Sequence, residues 1–372
     1  TTLIDPADIA AMFSVLTTGE GVGDTINGGS GDDVIFGDHG VIGQVDGTRR
    51  IESTGDMVLL QTINLANGGG DLIHGDQNND FIFGGVDNDT IYGDLDSDLI
   101  FGDHGTVSGL VNANLIGAIN GAGVSNPDAK FTYTSDISGA ANGSAGKDTI
   151  YGGSLALLDT DTGQNILLGQ QGSDTIYGGG SNDDIYGGHN VANGLGLDAG
   201  DFIDGAAGDD VIVGDNGLIE RTAVATDPRF TVLQSQTGGA TLIYNDFGLA
   251  LVANSDLIGA NPAGVEARRI QLFDHDDSPT ANVGNFGADT IAGGADDDLI
   301  FGQLGNDNLH GDGRLDSGVL ATLTETISGS DVGGDDYIEG NGGEDTIFGG
   351  LGQDDIVGGS STLYNLRGLA TL

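Results

Sequence analysis

Residues 84–101 read GGVDNDTIYGDLDSDLIF, which is two consecutive copies of a nine-residue pattern. The pattern is G-G-x-G-x-D-x-(Ile/Leu)-x, and it occurs eighteen times in the chain. Clear copies elsewhere are GGSGDDVIF at 28–36, GGADDDLIF at 293–301 and GGLGQDDIV at 349–357. The sixth position is Asp in every copy except for Asn165, and the eighth is Ile except for Leu167 and Leu309. Each period therefore carries a turn, an acidic side chain and an apolar residue at fixed offsets.

The first half of each copy, rich in Gly, Asn and Asp, is typical of a tight turn, and the second half is typical of a short β-strand. Side chains alternate along a strand, so positions 6 and 8 point to one side and positions 7 and 9 to the other. Two copies then form one full coil, and residues 18 apart stack at the strand spacing of about 4.8 Å. The sequence therefore predicts an all-β fold, a parallel β-roll (β-solenoid) with β-rich insertions.

The stacked turns predict multiple Ca²⁺ ions as cofactors. Calcium takes six to eight oxygen ligands from carboxylates and backbone carbonyls, and the turns offer carbonyls of positions 1 to 5 and the carboxylate of position 6. The candidate metal ligands are Asp24, Asp33, Asp71, Asp80, Asp89, Asp98, Asp148, Asp174, Asp183, Asp201, Asp210, Asp289, Asp298, Asp307, Asp336, Asp345 and Asp354. We expect the pairs 18 apart, such as Asp71 with Asp89 and Asp80 with Asp98, to stack directly.

Charge supports this interpretation. The chain has 57 acidic and 10 basic residues, for a net charge of −47, and a metal-free stack would bring like charges close together in every coil. Calcium binding would then be coupled to folding. Because aromatic residues make up 6% of the chain and Trp is absent, we expect a narrow Ile ladder to bury too little surface to hold the roll alone. We therefore assign calcium a structural role.

The repeats resemble the hemolysin-type (RTX) calcium-binding family of exported bacterial proteins, whose tandem repeats form a parallel β-roll. The resemblance implies that the metal ligands are the position-6 Asp residues and the turn carbonyls. The chain departs from the family pattern in two ways. Asn165 replaces Asp, which puts the site between repeats 160–168 and 178–186 in doubt. Asp76, Asp94 and Asn341 replace the second Gly, which puts the left-handed turn geometry there in doubt.

The repeats fall into groups separated by insertions of ordinary composition. We predict an N-terminal helical cap at 1–18, repeat groups at 19–36, 66–101, 143–213 and 284–357, insertions at 37–65, 102–142, 214–283 and 311–330, and a C-terminal tail at 358–372. Short β-prone runs in the insertions are Met57–Leu60, Phe131–Thr134 and Thr241–Tyr244. The insertions or the tail also contain nine of the ten basic residues, Arg49, Arg50, Lys130, Arg221, Arg229, Arg268, Arg269, Arg314 and Arg367. They either pair with carboxylates of the roll or are scattered surface charges that contribute little.

The sequence lacks the motifs of the common enzyme classes that we considered. There is no Cys, no H-E-x-x-H, no G-x-S-x-G and no complete Walker-type phosphate loop, so we predict that the chain is not an enzyme. The acidic charge disfavours nucleic acid as a partner. No apolar run has the length of a membrane span. The remaining partners are calcium ions and identical subunits stacked head to tail.

Three functions stay open at this point. The leading hypothesis is an extracellular, secreted, calcium-stabilised structural protein of a bacterial cell surface, as a surface-layer, adhesin or filament subunit. An alternative is the export and folding module of a secreted enzyme or toxin whose catalytic part lies outside this chain; a catalytic domain in the full-length gene product would favour it. A third is binding of carbohydrate or a host receptor by the insertions, especially 214–283.

Overall fold

The computed structural model describes residues 23–46, 51–117, 131–138, 146–153, 161–192, 198–221, 243–244, 250–251, 268–273, 286–315, 323–324, 334–352 and 354–361. The predicted N-terminal cap lies outside these residues, and so does most of the predicted tail. Along the described part of the chain, no helix has the length and hydropathy needed to cross a bilayer.

Two parallel sheets of nine strands each form the body of the protein, and the prediction of an all-β parallel roll is confirmed. In spatial order, the first sheet comprises β1 Thr25–Ser30, β5 Leu72–Gln77, β7 Thr90–Asp94, β11 Thr149–Gly153, β13 Thr175–Gly179, β15 Phe202–Ala207, β21 Thr290–Ala295, β23 Asn308–Asp312 and β27 Thr346–Phe348. The second sheet comprises β2 Val34–Phe36, β6 Phe81–Phe83, β8 Leu99–Phe101, β12 Ile166–Leu168, β14 Asp184–Tyr186, β16 Val211–Val213, β22 Leu299–Phe301, β26 Tyr337–Glu339 and β28 Asp355–Val357. Each coil contributes one strand to each sheet.

The eighth position of each repeat lies between the two sheets. Successive coils pair in register there, as Ile73 does with Ile91 and Ile82 with Ile100. The interior cluster consists of Ile35, Ile73, Ile82, Ile91, Ile100, Ile150, Leu167, Ile176, Ile185, Ile203, Ile212, Ile291, Ile300, Leu309 and Ile338. The period of two within each strand thus buries the apolar side chain of fifteen repeats, as predicted, while Ile26, Ile347 and Ile356 in the end coils are less buried.

The four repeat groups form one continuous roll. Strand β2 pairs directly with β6 across the insertion at 37–65, and β16 pairs with β22 across the insertion at 214–283. Phe36 lies in register with Phe83, and Val213 with Phe301. The first three insertions therefore leave the stack after a strand of the second sheet and return before the first-sheet strand of the next coil, whereas the insertion at 311–330 lies between β23 and β26 of one coil.

The insertions contain β-structure of their own. Strands β3 Gly40–Gln44, β4 Met57–Thr62, β9 Gly105–Val111 and β10 Phe131–Ser135 form an antiparallel sheet in the order β10-β9-β4-β3, so the first two insertions pair with each other. The other pairs are β17 Gly217–Arg221 with β20 Arg268–Leu272, β18 Ile243–Tyr244 with β19 Ala250–Leu251, and β24 Arg314–Leu315 with β25 Leu323–Thr324. Short 3-10 helices span Thr54–Asp56 and Ala113–Leu115.

A second hydrophobic cluster lies on the outer face of the second sheet and is larger than the sequence suggested. Most residues at positions 7 and 9 of that sheet are apolar, and strands of the insertions cover them. The sheet contributes Phe81, Phe83, Leu99, Phe101, Ile166, Leu168, Tyr186, Val211, Val213, Leu299, Phe301 and Tyr337, and the insertions contribute Met57, Leu60, Val107, Val111, Ala113, Ile116, Ile219, Ile270 and Leu272. Apolar burial thus extends beyond the Ile ladder, because the insertions supply the other half of this second core.

Arginines of the third insertion reach into the roll. Asp184 is fully buried, and its two carboxylate oxygens accept from Arg268 Nε at 2.5 Å and Arg221 Nε at 2.7 Å. Burial alone would raise the pKa of Asp184, but attraction to the two guanidinium groups outweighs it and lowers the pKa below its usual value. Arg314 pairs similarly with Asp204. For these three arginines, pairing with roll carboxylates is confirmed. The side chains of the other six basic residues of the insertions and tail lie outside the described part.

We predict that Asp184→Asn destabilises the calcium-saturated protein by about 3–5 kcal/mol, because two buried guanidinium groups lose their counter-charge. Asp355→Asn is the matched control, since Asp355 occupies the same repeat position in the last coil but is exposed. Urea unfolding followed by circular dichroism measures both. A loss at Asp184 no larger than the loss at Asp355 would contradict the anchoring role.

Candidate metal centre

The position-6 residues form two straight ladders, one beside each sheet. The first ladder is Asp24, Asp71, Asp89, Asp148, Asp174, Asp201, Asp289, Asp307 and Asp345, and the second is Asp33, Asp80, Asp98, Asn165, Asp183, Asp210, Asp298, Asp336 and Asp354. The sequence predicted this stacking for residues 18 apart, and the structure extends it across every insertion.

From the second coil onward, one oxygen of each ladder side chain has a structural partner. The backbone N–H of each ladder residue except those of the last coil donates to Oδ1 of the ladder residue one coil later, over distances of 2.6 to 3.3 Å. Asp71 N, for example, donates to Asp89 Oδ1 at 2.7 Å. This bond fixes the carboxylate and determines where its other oxygen points.

In most rungs, meaning the individual position-6 residues of a ladder, the second oxygen, Oδ2, is buried and has no hydrogen-bond partner. This holds for Asp33, Asp71, Asp80, Asp89, Asp98, Asp148, Asp174, Asp183, Asp201, Asp210, Asp289, Asp298, Asp307, Asp336 and Asp345. A buried carboxylate oxygen without a partner is costly. The predicted ligands missing from this set are Asp24 and Asp354, which stand at the two ends of the stack.

Each of these Oδ2 atoms faces a backbone carbonyl across a space that only glycine leaves open. A Cβ on the first Gly of the turn would lie within 3.1 Å of both that Oδ2 and the carbonyl oxygen of the first Gly one coil later. We call each such space a pocket. The fifteen glycines that border one are Gly28, Gly37, Gly75, Gly84, Gly93, Gly102, Gly169, Gly178, Gly187, Gly205, Gly214, Gly293, Gly302, Gly311 and Gly340.

The pockets fit a hard cation. Each combines a carboxylate oxygen with a carbonyl oxygen and supplies no donor, which is the ligand chemistry that calcium prefers. Within the described residues, no three His, Asp or Glu side chains converge on one point as a ready-made metal cluster. The pockets would therefore hold calcium largely through backbone oxygens, and calcium binding by the individual Asp residues stays a prediction.

Asn165 differs from its neighbours in the expected way. Its Oδ1 still accepts from Asp98 N at 2.9 Å, so the amide nitrogen Nδ2 takes the place of the anionic oxygen. A Cβ on Gly152 would lie 2.6 Å from that nitrogen. This rung thus places a donor where the others place an acceptor, which disfavours a cation at Gly152.

The left-handed turn geometry survives replacement of the second Gly. Asp76, Asp94 and Asn341 have φ of 76°, 75° and 65°. Asp and Asn tolerate this conformation better than most residues because their short polar side chains bond locally. The doubt that these substitutions raised about the turns is therefore removed.

Where the chain leaves the roll, a further set of hydrogen bonds joins one coil to the next, and sequence reasoning missed it. Asp103 Oδ2 accepts from the N–H of Gln171, and Gln170 Oε1 in turn accepts from Asp103 N at 2.9 Å. Asp215 and Gln303 repeat the arrangement, with Asp215 N donating to Gln303 Oε1 at 3.1 Å. The signal in the sequence is a Gly-Asp exit followed, one coil later, by Gly-Gln.

The ladder carboxylates predict an acid-stabilised, metal-free form. Burial raises the pKa of Asp80, Asp89 and Asp336 to about 8, and that of Asp174 and Asp307 to about 7. The unfolded value is about 3.9, so the folded metal-free protein binds more protons. That stabilisation is fully present below about pH 4 and is lost as the pH rises through 7 to 8.

We therefore expect protein in chelator to show β-structure by circular dichroism near pH 4 and to lose it by pH 8. In saturating calcium the dependence is expected to reverse, because protons compete with the metal for the carboxylates. A chelated protein whose spectrum is the same from pH 4 to pH 8 would contradict this prediction.

Filling a pocket is expected to remove its ion. In Gly169→Ala the new Cβ would lie 2.5 Å from Gly187 O and 2.7 Å from Asp174 Oδ2, and we expect one fewer calcium and a loss of at least about 1–3 kcal/mol. Gly358→Ala is the control, because a Cβ there meets nothing within 4 Å. Native mass spectrometry measures the number of bound calcium ions, and urea unfolding measures the stability. The same ion count and stability in both variants would argue against a calcium pocket at Gly169.

Comparison with known proteins agrees with this geometry. The family described as the RTX calcium-binding nonapeptide repeat (4 copies) matches residues 18–41, 65–100, 141–154, 159–188, 195–217, 283–313 and 330–361, about half of the chain. Among curated proteins, none matches. The matched segments contain every residue of both ladders and the strands of both sheets except for Phe101 at the end of β8. The chain therefore belongs to the RTX calcium-binding nonapeptide repeat family.

Proposed function

We propose that this protein is an extracellular, calcium-stabilised structural protein, a subunit of a surface layer, adhesin or filament, and not an enzyme. The observation that carries the proposal is the continuity of the two ladders: buried, unpartnered carboxylate oxygens run through the described roll almost from end to end. The buried carboxylates of the ladders thus lie where bound ions would stabilise the fold of the chain itself. Binding of calcium would neutralise these oxygens and hold consecutive coils together.

An extracellular location is supported by the kind of calcium site. Each pocket places one carboxylate oxygen beside one glycine carbonyl oxygen, and sites of low ligand charge bind calcium weakly, at about 10⁻⁴–10⁻³ M in extracellular modules. Such sites would fill outside a cell, and the absence of Cys is compatible with export. We propose secretion to a bacterial cell surface. Recovery of the protein in the cytoplasmic fraction, with none in the medium or on the surface, would contradict this.

Assembly through the ends of the roll is supported by their complementary hydrogen-bonding groups. Along each ladder the N–H of one coil donates to the carboxylate of the next. In the described part of the chain, the N–H groups of Asp345 and Asp354 in the last coil have no such acceptor, and the carboxylates of Asp24 and Asp33 in the first coil have no such donor. A second copy stacked head to tail would continue both ladders.

The last coil also presents an incomplete pocket. A Cβ on Gly349 would meet Asp354 Oδ2, and its nearest neighbours among the described residues include no glycine carbonyl of a following coil. Phe348, Leu351 and Ile356 of this coil are each about half exposed. The first coil of a second copy would supply the missing carbonyl, bury apolar surface and pair the open strand edges. We therefore expect the association to depend on calcium.

Light scattering against protein concentration tests the assembly. We expect the mass to rise with concentration at millimolar calcium and to remain that of a monomer for Asp24→Lys, which places a positive charge on the end face and keeps the N–H of residue 24. A wild-type protein that stays monomeric at millimolar calcium and high concentration would remove the assembly proposal, while the folding role of calcium would stand.

A further inference from the structure

A cluster of oxygen atoms outside the two ladders surrounds Gly188, in the turn that follows β14. A Cβ on Gly188 would have Asp198 Oδ2, Asn216 Oδ1 and the carbonyl oxygen of Asp215 all within 2.8 Å. Three oxygens thus converge on one point that the absence of a side chain keeps open. None of the three belongs to a position-6 residue, so the cluster is distinct from the two ladders.

Asp198 is the unusual member of this cluster. Its side chain lies in the segment that returns to the roll before β15, and the residue is only 6% exposed. Oδ1 accepts from the N–H of Ala199 at 3.0 Å, but Oδ2 has no hydrogen-bond partner. Burial of a carboxylate oxygen without a partner is costly, and Oδ2 is directed at the space beside Gly188.

The other two oxygens are held in place by neighbouring backbone. Asn216 Oδ1 accepts from His189 N at 2.7 Å, which orients the amide with its oxygen toward the cluster. The carbonyl of Asp215 accepts from Gly188 N at 2.9 Å. These bonds hold both oxygens beside Asp198 Oδ2 in the cluster.

We propose that Asp198, Asn216 and the carbonyl of Asp215 form a further calcium site in addition to the ladder pockets. The ligand set contains only oxygen, as a hard divalent cation requires, and water would complete the six to eight ligands of calcium. The ion would join Asp198, just before β15, to Asp215 and Asn216, which follow β16 where the chain leaves the roll. It would thereby fix the base of the third insertion. This inference rests on the proposed calcium function.

The test is an ion count by native mass spectrometry of folded protein at saturating calcium. We expect Asp198→Asn to carry one calcium fewer than wild type, and the charge-matched control Asp46→Asn, at an exposed position in the first insertion, to carry the same number. Asn216→Asp keeps the oxygen that accepts from His189 N and adds an anionic one. We expect this variant to retain the ion at this site down to a free calcium concentration at least about tenfold lower than the wild type does.

An unchanged ion count in folded Asp198→Asn would overturn the proposal. Should that variant fail to fold, Asn216→Asp decides, and a calcium titration identical to wild type would overturn it. Absence of bound calcium from the wild type as well would instead overturn the calcium function of the whole roll, so the two failures are distinguishable.

Discussion

Removal of calcium at pH 7.5 is expected to unfold the roll, with loss of the β-sheet signal in circular dichroism and of its cooperative melt. Each buried carboxylate then stands without a counter-charge, and the penalty for an unpaired buried ion is several kcal/mol. Fifteen such groups far exceed a typical folding stability of about 5–15 kcal/mol. The apolar cluster between the insertions and the second sheet does not offset this, although it can leave a collapsed state.

Chelation with EGTA followed by back-titration measures this effect. We expect calcium to restore the native spectrum cooperatively, and magnesium at the same concentration to fail, because magnesium requires a regular octahedral site and gives up its water reluctantly. An unaltered, cooperative melt after exhaustive chelation would show that hydrophobic burial is sufficient to hold the roll.

The second large effect is expected from one rung in the middle of a ladder. Asp210 is fully buried, its Oδ1 accepts from Asp183 N at 2.7 Å, and its Oδ2 has no partner. Asp210→Asn keeps the acceptor and replaces the anionic oxygen by an amide, as the chain itself does at Asn165. We expect the calcium-saturated protein to lose about 3–5 kcal/mol.

Without metal, Asp210→Asn is expected to stabilise the protein instead of destabilising it. In chelator, Asp210→Asn removes one buried carboxylate, so its β-structure is expected to persist to a higher pH than that of the wild type. Asp24→Asn, at the exposed end of the first ladder, is the control and is expected to change stability by less than about 1 kcal/mol. Equal losses at the two positions would contradict the requirement for a buried pocket.

Much of the fold could be predicted because its determinants are periodic. An Ile every nine residues and an Asp two residues before it fix the coil length, the inward face and both ladders. Even the exception at Asn165 could be interpreted in advance, since an amide retains one acceptor and lacks the charge. The pockets follow from the same spacing, because position 1 of each turn and position 6 stack with their own copies.

The remainder depends on segments that have no period. Nothing in the repeat distinguishes Asp184, which binds two arginines, from other polar residues at position 7 such as Asp355. The cover on the second sheet depends on insertion strands whose sequences carry no repeat, and Asp198 lies at a position that the repeat leaves variable. Such contacts are set by tertiary packing, which a local pattern does not encode.

The number of calcium ions that the folded chain holds is the most direct measure of whether calcium stabilises the roll. Native mass spectrometry of protein refolded in calcium and freed of loosely bound metal measures it. One ion per pocket predicts a count near fifteen, reached cooperatively as the β-sheet signal appears. A folded protein that carries no calcium, or only one or two ions, would contradict it.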